Sequence, residues 1–321
     1  MPPLTGYRIR PYAGAPDLPG IERVRAAIRA HEGDVWLPGP DQRPLPDPTH
    51  CLVIEPGDGL DDGRNGGPGR ALVGYSWFDW WTEVDGTRLY LLLGWVEPAH
   101  RRRGIGQAVL ARQEAFARQA AQLHSGPGPA LFGGNADDCQ PDARELLLAN
   151  GYTVAFTVVR MECDLRGPAP RRDLPAGLRL RPVRDDHHPA IHAAIEECFA
   201  DSQHGHVART FAQYQADLVD GAALWLWSVA WDGDQVAGVV IGTIQPDGTG
   251  LTNWVLVRAP WRRRGVARAL LADCHANMAA AGLITTRLTT VAENANQTIA
   301  LYESAGYRLV RWQPRYRKPI S

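Results

Sequence analysis

The sequence is short of cysteine, of long apolar runs and of any excess of charge. It has 5 cysteines in 321 residues, an odd number without a CxxC spacing. We therefore expect neither a disulfide framework nor a metal site, and we expect a cytoplasmic protein. No apolar run approaches the ~20 residues that span a bilayer, and the first residues lack the pattern of a secretory signal, so we expect no membrane partner. With 34 basic and 35 acidic side chains the net charge is −1, which argues against a nucleic-acid partner.

The chain contains an internal duplication. Residues 96–111 (VEPAHRRRGIGQAVLA) align without gaps to residues 257–272 (VRAPWRRRGVARALLA). Residues 7–11 (YRIRP) resemble 178–182 (LRLRP), and 149–152 (ANGY) resemble 304–307 (SAGY), in the same order along each half. The sequence therefore predicts two tandem domains, 1–165 and 177–321. The linker between them is 166–176, because its prolines and glycine cannot continue a helix or a central strand.

Each half shows the pattern of an α/β domain with a mixed sheet, in the order strand, helix, several strands, helix, strand, helix, strand. In the second half we predict helices near 189–201, 261–281 and 298–305. Predicted strands are 224–231, 236–244, 252–257 and 285–291.

The junction between a strand and the long helix contains three arginines and a glycine in both halves. Unpaired N–H groups at a helix N-terminus hold phosphate, and a glycine lets the backbone approach a pyrophosphate closely. The turn lacks the GxxxxGK[ST] of a P-loop and the three glycines of a Rossmann fingerprint. A solvated basic surface turn is the simpler alternative. Because the turn recurs at the same place in both halves, we expect a phosphate-bearing ligand there.

These motifs resemble those of the GNAT superfamily of N-acetyltransferases. The resemblance rests on Arg-x-x-Gly-x-Gly/Ala at a strand–helix junction, followed in the second half by LYESAGY at residues 301–307. Since the pattern occurs twice, the chain resembles the tandem-GNAT proteins, a group that includes the mycothiol synthases. The resemblance implies two GNAT-like acyl-CoA N-acyltransferase domains. In each, pantetheine would lie between the fourth and fifth strands, which splay apart.

The resemblance also implies site residues. In the second half acetyl-CoA would contact Val257, Arg262, Arg264, Gly265, Val266, Ala267 and Asn296. In the first half the equivalent contacts would be Val96, Arg101, Arg103, Gly104, Ile105 and Gly106. Tyr302 would be the general acid that protonates the departing thiolate. Leu147 stands at the matching position of the first half and cannot donate a proton, so we expect the first domain to be degenerate. It would bind cofactor without catalysing, or serve as a scaffold, and its intact turn favours binding.

The resemblance implies an N-acetyltransferase that moves an acetyl group from acetyl-CoA to an amine of a small molecule or a protein. The alternative is a non-catalytic acyl-CoA-binding sensor or scaffold. We leave the general base unassigned among Glu196, Glu197, Asp201, His204 and His206. We expect a monomer, because the tandem halves can form a pseudo-dimer.

Overall fold

The computed structural model describes residues 4–38, 50–57, 71–83, 85–126, 128–167, 172–200, 208–293 and 298–320. The chain divides into two compact units. Unit 1 comprises Met1–Phe156 and Gln313–Ser321, and unit 2 comprises Thr157–Trp312. No helix within the described ranges is long and apolar enough to cross a membrane.

Within the residues that the structure describes, the first half of the chain forms three α-helices and six strands. These are β1 (Tyr7–Pro11), α1 (Leu18–Glu32), β2 (Cys51–Pro56), β3 (Gly74–Thr82), β4 (Arg88–Val96), α2 (Ile105–Leu123), β5 (Ala130–Asn135), α3 (Pro141–Ala149) and β6 (Thr153–Asp164).

The second half repeats this plan with one additional short helix. Its elements are β7 (Arg179–Leu180), α4 (His188–Phe199), α5 (Phe211–Tyr214), β8 (Ser228–Asp232), β9 (Gln235–Ile244), β10 (Gly250–Val257), α6 (Val266–Ala280), β11 (Thr285–Val291), α7 (Thr298–Ser304) and β12 (Arg308–Pro319).

The sheet of unit 1 has the order β1-β2-β3-β4-β5-β12. Its neighbouring strands are antiparallel except β4 and β5, which run parallel. Helix α1 buries Ile21, Val24 and Ile28 against one face, because residues spaced by three and four share one side of a helix. Helices α2 and α3 bury residues such as Leu110 and Leu147 on the other face.

The sheet of unit 2 has the order β7-β8-β9-β10-β11-β6, and only β10 and β11 are parallel. Helix α4 covers one face through Ile191 and Ile195. Helices α6 and α7 cover the other, where Leu270 and Tyr302 are buried. The mixed α/β class predicted from the sequence is confirmed.

The two units differ from the predicted domains 1–165 and 177–321 in their last strands. Residues 158–164 of β6 pair with β11 of unit 2, and residues 315–319 of β12 pair with β5 of unit 1. Each unit therefore takes its final strand from the other half of the sequence. Within the predicted linker 166–176, residues 168–171 lie outside the described residues, and the others form neither helix nor strand.

Candidate active site

A wedge-shaped gap opens between the two parallel strands of unit 2. Strand β10 pairs with β11 only at Gly250 and Leu251, although β10 continues to Val257. On its other edge β10 stays paired with β9 as far as Val257. In unit 1 the pairing of β4 with β5 likewise ends at Leu91, while β4 continues to Val96. In each unit, the second half of this strand is therefore paired with its antiparallel neighbour along one edge and is not paired with the parallel strand along the other.

A β-bulge distinguishes the open strand of unit 2. The register between β10 and β9 shifts between Thr252 and Trp254, whereas the register between β3 and β4 is continuous. A bulge bends its strand and increases the local twist. Strand β10 therefore bends close to the point where its pairing with β11 ends.

Buried hydroxyl groups cluster at that point. The Tyr307 Oη lies 2.7 Å from Thr252 Oγ1 and 2.9 Å from His275 Nε2. Thr252 Oγ1 lies 3.2 Å from Thr286 Oγ1 on β11. Burial lowers the pKa of His275 to about 4, so its ring is neutral at physiological pH. The cluster links β10, β11, α6 and Tyr307, which lies between α7 and β12.

The arginine–glycine turn has the same geometry in both units. Gly265 precedes α6 with a φ of 88°, and Gly104 precedes α2 with a φ of 80°. Arg263 and Arg102 also have positive φ values, of 60° and 61°. A non-glycine residue in this region is strained, and such strain is concentrated at functional sites.

Each turn is closed by its first arginine. Arg262 Nε donates to the Val257 carbonyl at 2.8 Å, and Arg101 Nε donates to the Val96 carbonyl at 3.0 Å. The backbone N–H of Arg258, the residue after Val257, donates to the Ala237 carbonyl of β9 at 3.0 Å. Because successive backbone groups of a strand point to opposite edges, the backbone of Val257 faces the wedge.

The turn brings several sequence-predicted residues of the second half together. Arg262, Arg264 and Gly265 are exposed in the turn, and Val266 and Ala267 begin α6. In unit 1, Arg103 Nη1 donates to Tyr7 Oη at 3.0 Å, while Ile105 and Gly106 begin α2. Asn296 lies outside the described residues.

Tyr302 lies on α7, with its ring edge-on to that of Tyr307 at 5.9 Å between centroids. Burial raises the pKa of Tyr302 to about 12, so the phenol keeps its proton at neutral pH. In unit 1 the buried Leu147 stands in its place.

Tyr152 of unit 1 is the counterpart of Tyr307, and it is committed to a different contact. Its hydroxyl donates to Glu114 at 3.1 Å, and Lys318 Nζ lies 2.8 Å from the same carboxylate oxygen. Burial raises the pKa of Tyr152. Glu114 and His275 occupy the same aligned position of α2 and α6, 161 residues apart. The alignment of the two halves shows this equivalence, but the contact of His275 with Tyr307 follows only from the fold.

The candidate general bases that the structure describes are already engaged. Glu197 forms an ion pair with Arg258 at 2.7 Å. Glu196 accepts a hydrogen bond from the backbone N–H of Arg209 at 3.3 Å and lies 3.8 Å from His192 Nε2. Asp201, His204 and His206 lie outside the described residues.

A mixed sheet that opens between two parallel strands, with a glycine turn at a helix N-terminus beside the opening, defines an acyl-CoA N-acyltransferase class of fold. A model described as "Acetyltransferase (GNAT) family" matches residues 23–125, and one described as "Acetyltransferase (GNAT) domain" matches residues 221–309. Together they cover more than half of the chain. The chain belongs to the GNAT family, as a tandem protein with one GNAT domain in each half.

Individual relatives agree with this assignment. A mycothiol acetyltransferase from Geodermatophilus obscurus is 27% identical over 249 residues, which are 74% of this chain and 75% of the relative. A GCN5-related N-acetyltransferase from Sphaerobacter thermophilus has a similar fold, with a TM-score of 0.75, 23% identity, and coverage of 98% of this chain and 96% of that one. A tandem GNAT protein from the clavulanic acid biosynthesis pathway gives a TM-score of 0.62 with 15% identity, over 98% of this chain and 99% of that one. The chain is an acyl-CoA-dependent N-acetyltransferase that acts on an amine, and enzymes of this family take the acetyl group from acetyl-CoA.

Proposed function

We propose that acetyl transfer takes place in the wedge of unit 2. The observation that supports this choice is that unit 2 has both the glycine turn and Tyr302, whereas unit 1 has the turn beside Leu147. The chain is accordingly one catalytic GNAT domain accompanied by a degenerate copy.

The residues of unit 2 suit acetyl-CoA. The pyrophosphate would lie on the N-terminus of α6, held by the backbone N–H groups of Gly265, Val266 and Ala267. Arg262 and Arg264 would supply positive charge beside it, and Asn296 would lie along the cofactor. A Cβ added at Gly265 would meet no heavy atom within 4 Å. This approach to the backbone is therefore open.

Acetyl-CoA supplies a thioester whose carbon is attacked by the acceptor amine. The backbone of Val257 faces the wedge and would donate a hydrogen bond to the acetyl carbonyl oxygen, where negative charge develops. Tyr302 would hold a proton for the departing thiolate. A phenol whose pKa is about 12 is protonated at neutral pH.

The acceptor is proposed only as an amine of a small molecule or a protein. The curated relative is named for mycothiol, but fold and motif do not specify an acceptor. We further propose a monomer that acts in the cytoplasm without a nucleic-acid partner, consistent with the balanced charge. Gel filtration and a DNA-binding titration at low salt test these points.

Matched substitutions in the two turns test the location of the site. Gly265→Asp should lower the affinity for acetyl-CoA more than tenfold in calorimetry, because it places a carboxylate beside the pyrophosphate. Gly104→Asp imposes similar strain at a similar positive φ in unit 1, and it should leave affinity and turnover nearly unchanged. Circular dichroism would be used to check that both variants fold. If Gly104→Asp abolishes turnover and Gly265→Asp does not, catalysis belongs to unit 1.

A second assay distinguishes an enzyme from a sensor. Thiol release from acetyl-CoA is followed across a panel of small amines and lysine peptides. Binding of acetyl-CoA without thiol release for any acceptor would support the sensor or scaffold.

A further inference from the structure

Two of the three arginines of the unit 1 turn are paired with carboxylates from neighbouring helices, and the third, Arg103, donates to the Tyr7 hydroxyl. Arg102 Nη1 lies 2.7 Å from Glu145 Oε2 and 3.5 Å from Asp142 Oδ1, both on α3. Arg101 Nη2 lies 2.5 Å from Glu32 Oε1 at the end of α1, and Arg101 Nη1 lies 3.9 Å from Asp142. Two successive arginines of this turn therefore face three carboxylates.

One of these carboxylates belongs to a buried, preorganised contact. The Glu32 side chain is only 2% exposed, and Gln140 Nε2 donates to its second oxygen at 2.7 Å. A buried carboxylate requires a charged partner, so Arg101 is held where it is. The pairs of Arg102 are exposed and contribute little to stability, but they place negative charge directly at the turn.

Hydrogen bonds and close packing also hold helix α3 against the start of α2. Gln107 and Asn150 exchange two amide hydrogen bonds, of 2.8 and 2.9 Å. A Cβ added at Gly106 would lie 3.1 Å from Leu146. The carboxylates of α3 are therefore held close to the N-terminus of α2, where a bound phosphate would lie.

Unit 2 has neutral residues at the positions equivalent to the two α3 carboxylates. Counted back from Gly151 and Gly306, Asp142 corresponds to Gln297 and Glu145 corresponds to Ala300. Ala300 is exposed on α7, and Gln297 lies outside the described residues. Among the residues that the structure describes, Arg263 and Arg264 have no ion-pair partner. The two turns share their backbone geometry and differ in the charge that faces them.

We propose that the unit 1 turn is an anion site whose occupants are the chain's own carboxylates, so that the protein binds one acetyl-CoA per chain. Asp142 and Glu145 repel a pyrophosphate and occupy the guanidinium of Arg102, while Glu32 occupies that of Arg101. The inference rests on the proposed function of unit 2, since it assigns the single cofactor to that unit. It goes further by explaining why a turn with an intact motif does not bind acetyl-CoA.

The first test is the stoichiometry of acetyl-CoA binding to the full chain by calorimetry. One molecule per chain, lost in Gly265→Asp, is the expected result. Two molecules per chain would overturn the self-occupied site and leave the assignment of unit 2 standing. No binding, or one molecule that is lost in Gly104→Asp instead, would overturn the proposed function itself.

The second test exchanges the charge pattern between the units. The double variant Asp142→Gln, Glu145→Ala gives α3 the residue types of α7, and it should create a second, weaker site without changing turnover. A stoichiometry that stays at one in this folded variant would contradict the claim that the carboxylates exclude the cofactor.

The reciprocal change is Ala300→Glu on α7, with Ala300→Gln as the uncharged control. One carboxylate about 4 Å from a phosphate charge in water weakens binding about fivefold. The glutamate variant should show this loss, and the glutamine variant should not. The difference between them should shrink near 1 M salt, where charges are screened within about 3 Å. Equal affinity of the two variants at low salt would overturn the proposal.

Discussion

Tyr302 and Leu147 occupy one position in the two halves of the chain, and only the tyrosine has a proton to donate. Tyr302→Phe keeps the ring and its edge-on contact with Tyr307. Turnover should fall by about 10²–10⁴, the usual contribution of a general acid. The affinity for acetyl-CoA should change little, because the hydroxyl interacts most strongly once charge develops on sulfur. Steady-state kinetics and calorimetry on the same preparation measure the two effects, and wild-type turnover would reduce Tyr302 to a packing residue.

The pH dependence gives a second check on the same residue. A group whose pKa is about 12 does not lose its proton between pH 7 and 10. Deprotonation of Tyr302 should therefore not lower the turnover of the wild type in this range. The pH profiles of the wild type and of Tyr302→Phe should have the same shape, without an alkaline decline that is present only in the wild type. Such a decline would indicate a phenol with an ordinary pKa and a different environment.

His275 should make the stability of the protein depend on pH. Burial lowers its pKa from 6.5 to about 4, so the unfolded chain takes up this proton at a higher pH than the folded one does. The resulting stability is fully present above pH 6.5 and is lost as the pH falls towards 4. The loss is about 3 kcal/mol at most.

Chemical denaturation between pH 7 and 4 measures this effect. His275→Gln removes the titrating group and keeps an amide that can hydrogen-bond to Tyr307. The free energy of unfolding of this variant should fall less steeply with decreasing pH than that of the wild type. Parallel curves would show that folding does not lower the pKa of His275.

At the scale of secondary-structure elements, the hydroxyl cluster lies at the point where the pairing of β10 with β11 ends. Tyr307→Phe removes the contact of the buried His275 Nε2 with the phenol, which costs about 1–3 kcal/mol, whereas Thr252 keeps its contact with Thr286. The substitution should lower both the stability and the affinity for acetyl-CoA, since the wedge begins at this cluster.

The matched control is Tyr152→Phe in unit 1, where Glu114 retains its contact with Lys318. This variant should leave acetyl-CoA affinity unchanged. Thermal unfolding and calorimetry on both variants check the contrast. Equal losses of affinity would mean that the cluster of unit 2 has no particular role at the wedge.

The sequence predicted elements well where the periodic pattern was long or bounded by clear turns. The strand at 285–291 and the helix beginning at 298 are found with those limits. The long helix begins at Val266 rather than near 261, because residues Ala259–Trp261 form a separate short 3₁₀ turn. The strand predicted at 224–231 begins only at Ser228, since Leu224–Leu226 also form a 3₁₀ turn. A short apolar run is equally compatible with a strand and with a buried turn.

The site was predictable only to the extent that it lies in consecutive residues. The arginine–glycine turn could be recognised because its residues are contiguous and occur twice. The bulge beside Trp254 could not be recognised from the sequence, because it depends on strand register. The contact between Thr252 and Tyr307 could not be recognised either, because it joins residues 55 positions apart. The sequence also could not predict which carboxylates face the unit 1 turn, because they lie on α1 and α3, far along the chain from it.

At the scale of the whole molecule, the last strand of each unit could not be assigned from the sequence. Alternating residues identify β6 as a strand but do not say which neighbour it pairs with. Residues 158–164 pair with β11 along seven positions, and Val159 and Met161 are fully buried in unit 2. The first half of the sequence thus supplies part of the core of unit 2.

This exchange predicts how fragments of the chain behave. A fragment 157–312 contains every strand segment of unit 2, and it should fold cooperatively and bind acetyl-CoA. A fragment 177–321, the second half as the sequence delimits it, lacks residues 158–164. It exposes the edge of β11 and loses Val159 and Met161, each of which contributes about 1.5–3 kcal/mol by burial. Because whole domains are stable by only about 5–15 kcal/mol, this fragment should be unfolded or aggregated. Circular dichroism, thermal unfolding and acetyl-CoA calorimetry compare the two fragments with the full chain. Cooperative unfolding of 177–321 with full-chain affinity would show that unit 2 does not need the strand it takes from the first half.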